Sequence, residues 1–305
     1  MSETREAPGS VKIDVETEDA GRVDKAIARR YPEAGRRALA RLFADGAVKI
    51  GAKRAAKGDM VAAGDVIVLA HAPLTGDALR PAADPTALAQ LAVLLERADL
   101  VAVSKPAGMP SQPLRAGELG TAASGIAARW PECAALGDDV RDGGLVHRLD
   151  VGTSGVLVAA RTEAAYRALR AAFGAGTIAK TYLALVHDRP VASECEAAIA
   201  QRGDHVVVDP VTGLAAHTSF TVEKAAAGYA LVRCAAHTGR MHQVRAHLAH
   251  VASPIVGDTR YGGHELPDHP GFFLHAATLT LPDGTTITAP LPDRFAAALA
   301  ACGLA

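Results

Sequence analysis

Residues 145–160 contain one carboxylate, that of Asp150, in a short polar loop that two apolar runs flank. The loop carries five polar side chains that could contact a ligand: His147, Arg148, Asp150, Thr153 and Ser154. The pattern predicts a strand, a tight loop and a second strand that follows Gly155. A loop fixed between buried strands can hold Asp150 rigidly, where a carboxylate can act as a base or as a nucleophile. An isolated aspartate in such a loop is more often a turn residue, so a catalytic role for Asp150 requires support from other motifs.

The residues around this loop read His147-Arg148-Leu149-Asp150-x-x-Thr153-Ser154-Gly155, with seven residue types fixed in nine positions. This pattern resembles the signature of the large-ribosomal-subunit type of RNA pseudouridine synthase. The resemblance implies that Asp150 is the catalytic residue and that His147 and Thr153 contact the substrate. Arg148 is expected to fill the space left by an everted uridine or to hold its phosphate.

A second motif, Lys180-Thr181-Tyr182, matches a lysine-x-tyrosine pattern of the same family. The resemblance implies that Tyr182 stacks on the target uracil and that Lys180 contacts the substrate. Stacking of a base on an aromatic ring contributes about 1–3 kcal/mol and suits an extruded nucleotide.

A third motif, in residues 239–247, resembles the family pattern glycine-arginine-x-histidine-glutamine-x-arginine-x-histidine. Arg245 stands where the family places the arginine that pairs with the catalytic aspartate. A nearby guanidinium favours the charged form of a carboxylate. We expect Arg240 and His242 to contact the substrate.

The histidines of this region could also suggest a metal site. His237, His242 and His247 are five residues apart, so on a helix they would point in different directions instead of sharing a face. We therefore expect no metal, and the implied chemistry requires no other cofactor.

Further segments extend the resemblance over residues 91–300. The turn that starts at Lys105-Pro106 precedes the catalytic loop, and three family segments follow Arg245 in order: Pro254 to Asp258, Tyr261-Gly262 and Leu274 to Ala276. The family implies an α+β catalytic domain, here placed at residues 91–305, with a mixed, largely antiparallel sheet and a cleft across it.

The N-terminal part of the chain has an uneven charge distribution. Residues 1–21 carry six acidic and two basic side chains, whereas residues 22–65 carry eleven basic and five acidic ones. We expect a mobile acidic tail at residues 1–18, a compact module at 19–70 and a linker at 71–90. Two short helices and a hairpin in the module are similar to the S4-type RNA-binding module. Six cations are its expected phosphate contacts: Arg36, Arg37, Arg41, Lys49, Lys53 and Arg54.

Bulk properties limit the remaining possibilities. The formal charge of −1 over 305 residues argues against a uniformly basic surface, so RNA, the expected partner, must bind at local patches. Four scattered cysteines without a C-x-x-C pair suggest neither a disulfide framework nor a thiolate zinc site. No signal sequence or long apolar run is evident, so we expect a soluble, cytoplasmic protein without membrane contact. No obligate protein partner is indicated.

The expected reaction is isomerisation of specific uridines to pseudouridine, and two alternative functions stay open at this point. A nucleoside glycoside hydrolase would need a second carboxylate at working distance, and Asp258 is the one further acidic residue inside the motifs. A non-catalytic RNA-binding or ribosome-assembly protein would need the basic module but would leave Asp150, Tyr182 and Arg245 unexplained. The resemblance favours ribosomal RNA over transfer RNA as the substrate.

Overall fold

The structure is a computed structural model that describes residues 10–32, 34, 36–44, 46–71, 79–203, 205–226 and 228–305. The described residues form two compact units. The smaller contains residues up to Arg80 together with Arg115–Gly117, and the larger contains the others.

The smaller unit combines two helices with short strands. In chain order its elements are β1 (Val11–Asp14), β2 (Gly21–Arg22), α1 (Val23–Arg30), α2 (Arg36–Ala44), β3 (Val48–Ile50), β4 (Lys53–Arg54), β5 (Met60–Val61) and β6 (Val66–Leu69). One sheet has the order β1-β6-β3-β4, and β2 pairs with β5. The core lies between this sheet and the helices and is built from apolar side chains that include Ile27, Leu42 and Ile67.

Strand β1 corrects the expectation of a mobile tail for residues 11–18. Val11 to Asp14 pair in antiparallel register with β6, and Ile13 and Val15 are buried. The alternation of Val11, Ile13 and Val15 is a strand pattern that the surrounding acidic residues mask. Residues 1–9 of the expected tail lie outside the described residues.

The expected RNA contacts of this unit fall in two places. Lys49 and Arg54 oppose each other across the β3–β4 hairpin, and both are exposed, as is Lys53. Opposed residues of a hairpin project to the same face, so Lys49 and Arg54 form a small cationic pair. Arg36, Arg37 and Arg41 belong to α2, and their side chains lie outside what the structure describes.

The larger unit contains the remaining elements. In chain order they are α3 (Pro85–Leu88), β7 (Ala92–Glu96), β8 (Leu100–Lys105), α4 (Ala122–Arg129), β9 (Ser154–Ala160), α5 (Glu163–Ala175), β10 (Ala179–His187), β11 (Glu194–Cys195), β12 (Ile199–Arg202), β13 (His205–Val208), β14 (Thr218–Ala226), β15 (Tyr229–Ala236), α6 (Gln243–His250), β16 (Leu274–Thr280), β17 (Thr286–Thr288) and α7 (Asp293–Ala301).

A nine-stranded mixed sheet forms the centre of this unit. Its order is β11-β14-β15-β10-β16-β9-β8-β7, with β17 on β16, and β12 and β13 form a separate hairpin. Among the described strand pairs of this sheet, β9 with β16 is parallel and the others are antiparallel. The expected α+β class with a mixed, largely antiparallel sheet is confirmed.

Both faces of the central strands are covered. Val101 and Leu157 pack with α4, whereas Leu100 and Val158 pack with α5. Strands buried on both faces need apolar residues at successive positions, which explains the continuous apolar runs in β8 and β9. Farther along the sheet, α6 and α7 cover opposite faces in the same way.

The segment before β7 belongs to the larger unit although the sequence pattern indicated a linker there. Asp84 accepts hydrogen bonds from the backbone N–H groups of Thr86 and Ala87 and so caps α3. The same carboxylate accepts the N–H of Gly120, and Ala87 is buried against α4. Residues 72–78 of the expected linker lie outside the described residues. In the described part of the chain, no helix is long and apolar enough to span a membrane.

Candidate active site

The loop that carries Asp150 joins the region of Leu145 to β9. Its first side was expected to be a strand, but Leu145 makes only a single bridge, to Ala159. On the other side, β9 starts at Ser154, and Gly155 has a φ of +117°. A Cβ atom on Gly155 would lie 2.1 Å from the carbonyl oxygen of Ala276, so the parallel contact between β9 and β16 requires glycine.

The residues on both sides of Asp150 are hydrogen-bonded to the turn that follows β8. The Ser111 hydroxyl donates to the carbonyl oxygen of Leu149 at 2.7 Å and accepts the N–H of the same residue at 3.0 Å. On the other side, Val151 accepts the N–H of Gly108 at 2.7 Å. Asp150 is therefore held through its neighbours on either side.

Lys105 contributes to the same anchor from inside the protein. Its side chain is fully buried, and Nζ donates to the carbonyl oxygens of Pro106, Met109 and Val151 at 2.9, 2.7 and 3.2 Å. Burial lowers the pKa of Lys105 to about 7, and the negative charge of Asp150 opposes this shift. The lysine thus ties the turn and the Asp150 loop together.

Arg245 on α6 is the direct partner of Asp150. Its Nη1 donates to Asp150 Oδ2 at 3.0 Å, while Nε and Nη2 donate to the two carboxylate oxygens of Asp258 at 2.7 and 2.8 Å. The guanidinium carbon lies over the rings of Tyr261 and Phe272, 4.9 and 4.5 Å from their centroids. Burial acts to lower the pKa of Arg245, but the hydrogen bonds and charges of Asp258 and Asp150 raise it overall.

The other carboxylate oxygen of Asp150 faces His242. Oδ1 lies 3.7 Å from Nε2 of His242, the residue that precedes α6, and 26% of the Asp150 side chain is exposed. His242 has a φ of +51° and is mostly buried. Because α6 starts only at Gln243, His242 lies in the preceding turn and not on the expected helix.

Tyr182 lies on β10 between Cys234 of β15 and Ala276 of β16. It is partly buried and packs against the apolar cluster that includes Leu149, the residue before Asp150. Burial raises the pKa of the Tyr182 hydroxyl, and the charge of Asp150 adds to this shift. The structure thus brings Asp150, Tyr182 and Arg245, the three expected catalytic residues, to the same part of the sheet.

The expected substrate contacts Lys180 and Arg240 lie beside the turn before α6. Lys180 is buried, its Nζ donates to the carbonyl oxygen of Thr238 at 3.0 Å, and burial lowers its pKa. Arg240 is exposed, and its Nε donates to the carbonyl oxygen of Ala215 at 3.1 Å. Both cations thus hold backbone segments near the site.

His147 is directed away from Asp150. Its Nε2 accepts the N–H of Val158 at 3.1 Å, and its ring stacks on Phe173 of α5 at 4.7 Å. Burial lowers the pKa of His147 to about 3, and the charges of Lys180 and Arg170 add to this effect. These contacts give His147 a structural environment on the α5 side of the sheet.

Arg148 and Thr153 complete the expected set. Arg148 is exposed to solvent beside Asp150. Thr153 is buried, its N–H donates to the carbonyl oxygen of Asp150 at 3.0 Å, and its Oγ1 has no hydrogen-bond partner among the described residues.

Four residues that the sequence reasoning did not assign to the site contact it closely: Lys105, Ser111, Asp258 and Tyr261. Asp258 was visible in the sequence as the other acidic residue inside a motif, and Lys105 and Tyr261 stand in motif segments. Ser111 carries no such signal, because its partner Leu149 is 38 residues away in the chain.

The arrangement provides a fixed carboxylate beside a protonated phenol and a buried guanidinium. Among the described residues, no group of three or more His, Cys, Asp and Glu side chains is placed to hold a metal ion. A partly exposed Asp150 can reach a bound sugar or base, and Tyr182 offers an aromatic ring close to it.

Comparisons with known proteins show the family to which the chain belongs. Residues 99–250, which include Asp150, Tyr182 and Arg245, match the RNA pseudouridylate synthase family. An uncharacterized RNA pseudouridine synthase of Chloroflexus aurantiacus is 35% identical over 306 residues, covering 95% of this chain and 92% of that protein. The ribosomal large subunit pseudouridine synthase D of Xylella fastidiosa is 33% identical and covers 79% and 71% of the two chains.

A solved structure supports the same relationship. The human RNA pseudouridylate synthase domain containing 1 protein superposes with a TM-score of 0.54 at 26% identity, covering 72% of this chain and 90% of that one. The matched family and these relatives define the class of protein, an enzyme that modifies RNA. The chain belongs to the RNA pseudouridine synthase family and is an isomerase.

Proposed function

We propose that Asp150 is the catalytic carboxylate with which this enzyme converts specific uridines to pseudouridines. The observation that carries the proposal is the placement of Asp150, which is rigidly held by its neighbours, bound on one oxygen by Arg245 and still partly exposed. In the reaction the bond from C1′ to N1 breaks, the uracil turns, and C1′ bonds to C5. N1 takes up a proton and C5 loses one, so no redox partner is required.

Each neighbouring residue has a defined part in this proposal. Asp150 acts on the ribose or the base, either as a base or as a nucleophile. Tyr182 stacks on the everted uracil, and Arg245 orients Asp150. Arg148, exposed beside Asp150, occupies the space that the uridine leaves or holds its phosphate.

Large-subunit ribosomal RNA is the substrate that we propose. Support comes from relatives whose names state that class, including the synthase D of Xylella fastidiosa. The smaller unit is proposed to be an S4-like module that binds RNA through phosphates. Its exposed Lys49, Lys53 and Arg54 provide cations on one hairpin.

The substitution Asp150→Asn tests the catalytic assignment. With [5-³H]uridine-labelled ribosomal RNA, we expect tritium release from C5 to be abolished while RNA binding is largely kept. Asp138→Asn, at an exposed aspartate that pairs with Arg170 on α5, is the matched control and should leave release unchanged. Full activity of Asp150→Asn would contradict the assignment.

The same assay separates the alternative functions. Release of free uracil by the wild-type enzyme would indicate a hydrolase, and binding without any conversion would indicate an RNA-binding protein. Sequencing of pseudouridines in RNA from cells with and without the gene would identify the modified positions and test the ribosomal RNA proposal.

The binding role of the smaller unit is tested by the triple variant Lys49→Ala, Lys53→Ala, Arg54→Ala. Removal of these cations should weaken RNA binding and reduce the slope of log K against log salt by about one for each phosphate that is no longer neutralised. Chemistry at saturating RNA should stay the same. Unchanged affinity and slope would reject this role.

A further inference from the structure

Two atoms of the His242 ring face different neighbours. Nδ1 lies 2.8 Å from the hydroxyl of Tyr261, and Nε2 lies 3.7 Å from Oδ1 of Asp150. The Tyr261 hydroxyl also accepts the N–H of Val206, on strand β13, at 3.0 Å. Two hydrogen bonds thus link a backbone amide to His242, whose other ring nitrogen lies near the proposed catalytic carboxylate.

The direction of each of these hydrogen bonds follows from the available protons. A backbone N–H can only donate, so Val206 supplies the proton of the first bond. Tyr261 has one proton of its own, and among the described residues His242 Nδ1 is the remaining partner of its hydroxyl. The arrangement that satisfies this proton within the protein has Tyr261 donate to Nδ1, which then acts as an acceptor.

An accepting Nδ1 determines the position of the remaining ring proton. In a neutral imidazole one nitrogen donates and the other accepts, so the proton is on Nε2, toward Asp150. Burial lowers the pKa of His242 and so favours the neutral ring. The charges of Arg245 and Arg260 add to this effect, whereas Asp150 and Asp258 oppose it.

Tyr261 also contacts the other group that binds Asp150. The guanidinium carbon of Arg245 lies 4.9 Å from the centroid of the Tyr261 ring. The same ring stands edge-on to His242, with an angle of 90° between the planes. One side chain therefore touches both partners of the carboxylate.

The backbone of His242 supports a fixed orientation. Its φ of +51° is in the left-handed region, which non-glycine residues adopt at a cost and only where surrounding contacts enforce it. Strained conformations of this kind occur preferentially at functional sites.

We propose that Tyr261 is a positioning residue that fixes the Nε2–H tautomer of His242, so that the ring presents a proton to the second oxygen of Asp150. The proposal rests on the catalytic role assigned to Asp150 above. Arg245 binds Oδ2, and Nε2 of His242 lies 3.7 Å from Oδ1, so a small approach of the ring brings its N–H within hydrogen-bond distance of that oxygen. In the other tautomer, a lone pair on Nε2 would face the carboxylate and repel it.

The variant Tyr261→Phe removes the hydroxyl and keeps the ring over Arg245. Tyr166→Phe is the matched control, because the Tyr166 hydroxyl also accepts a backbone N–H, from Asp138, and donates to a side chain, Asp142, with both distances 2.9 Å. Tyr166 is on α5, so its hydroxyl can be removed without touching His242 or Arg245.

The direct readout is the ¹⁵N NMR spectrum of the full chain labelled at histidine, with His242 assigned by comparison with His242→Gln. We expect a protonated Nε2 and an unprotonated Nδ1 in the wild type and in Tyr166→Phe, and a mixture of tautomers in Tyr261→Phe. A wild-type ring protonated on Nδ1, or an unchanged tautomer in Tyr261→Phe, would overturn the proposal.

The second readout is the single-turnover rate at saturating RNA. Tyr261→Phe should lower the rate about three- to tenfold, the effect of losing one ordinary hydrogen bond, while RNA affinity stays the same. An unchanged rate, or an equal loss in Tyr166→Phe, would also overturn the proposal. The spectrum requires no RNA, so it tests the tautomer of His242 independently of catalysis. The catalytic role of Asp150 is tested separately, by the activity of Asp150→Asn.

Discussion

Asp258 binds Arg245 through both carboxylate oxygens, at 2.7 Å from Nε and 2.8 Å from Nη2, and leaves Nη1 for Asp150. Both members of the pair are almost completely buried, with 7% of the Arg245 side chain and 2% of the Asp258 side chain exposed. A planar guanidinium held on one edge by two bonds cannot rotate freely. Asp258 therefore fixes the direction from which Arg245 meets Asp150.

Asp258→Asn tests this arrangement. An asparagine can accept only one of the two bonds and leaves the buried Arg245 charge less compensated. Removal of one partner of a buried ion pair typically costs about 3–5 kcal/mol, and we expect a loss near the lower limit because Asp150 remains. Urea unfolding measures the loss, and single-turnover assays should show a reduced rate at saturating RNA.

Asp283→Asn is the matched control for Asp258→Asn. Asp283 pairs with Arg97 at 2.9 Å, but both side chains are exposed, and surface pairs of this kind contribute about 0–1 kcal/mol. Equal losses of stability in the two variants would show that burial of the Asp258 pair has no special importance.

Ser111→Ala tests the anchor on the other side of Asp150. The substitution removes the partner of both the N–H and the carbonyl oxygen of Leu149, and burial would leave these groups unsatisfied. An unsatisfied buried polar group costs about 1–3 kcal/mol. We expect lower stability together with a slower single-turnover rate, because Asp150 is the next residue.

Ser253→Ala separates the effect on rate from the effect on stability. The Ser253 hydroxyl is also buried, and its one proton is shared between the carbonyl oxygens of His187 and Asp188, at 3.2 and 3.0 Å. Ser253→Ala should reduce the free energy of unfolding without reducing the rate. The anchoring role of Ser111 would be rejected if both alanine variants reacted as fast as the wild type.

The site residues that could be predicted from the sequence are those that stand in short sequence motifs. Asp150, Tyr182 and Arg245 each stand in a recognisable pattern, and the apolar run after Gly155 predicted the strand β9. The packing of the sheet then brings these distant motifs together.

Other features depend on contacts that no local pattern contains. His147 is three residues before Asp150, but side chains of this segment face opposite sides of the sheet: Val146 packs on the α5 side and Leu149 on the α4 side. The bond between Ser111 and Leu149 joins two loops far apart in the chain. Such pairs are determined by tertiary packing, which a single sequence does not reveal.

Gly155→Ala should be among the most damaging single substitutions. The added Cβ would meet the carbonyl oxygen of Ala276 at 2.1 Å, and the φ of +117° is strained for alanine. Separation of β9 from β16 should displace the Asp150 loop, so we expect little folded protein and no conversion of RNA. Circular dichroism and gel filtration measure the first effect.

Gly174→Ala makes the same chemical change at a permissive position. Gly174 lies within α5, and a Cβ there would meet no atom within 4 Å. Alanine in place of a helical glycine should stabilise the protein by about 0.5–1 kcal/mol. A folded and active Gly155→Ala variant would show that the close contact between β9 and β16 can relax.

His147 makes the stability of the protein dependent on pH in one direction. Its Nε2 accepts the N–H of Val158, so the folded state requires the neutral ring, and its pKa is lowered to about 3 from an ordinary value of about 6.5. Between these values the unfolded chain binds a proton that the folded chain does not. The neutral His147 ring therefore contributes its full stabilisation of the folded state above about pH 6.5, and this stabilisation is lost as the pH falls toward about 3.

His147→Gln keeps an acceptor for Val158 and removes the titration. From about pH 6.5 down to about 4.5, we expect the free energy of unfolding to fall more steeply for the wild type than for His147→Gln. The difference between the two slopes should correspond to at most about one proton per molecule. Urea unfolding across this range provides the measurement. His250→Gln, at an exposed histidine on α6, should follow the wild type, because it leaves the bond between His147 and Val158 in place. Parallel curves for the wild type and His147→Gln would mean that the ring can be protonated without breaking its bond to Val158.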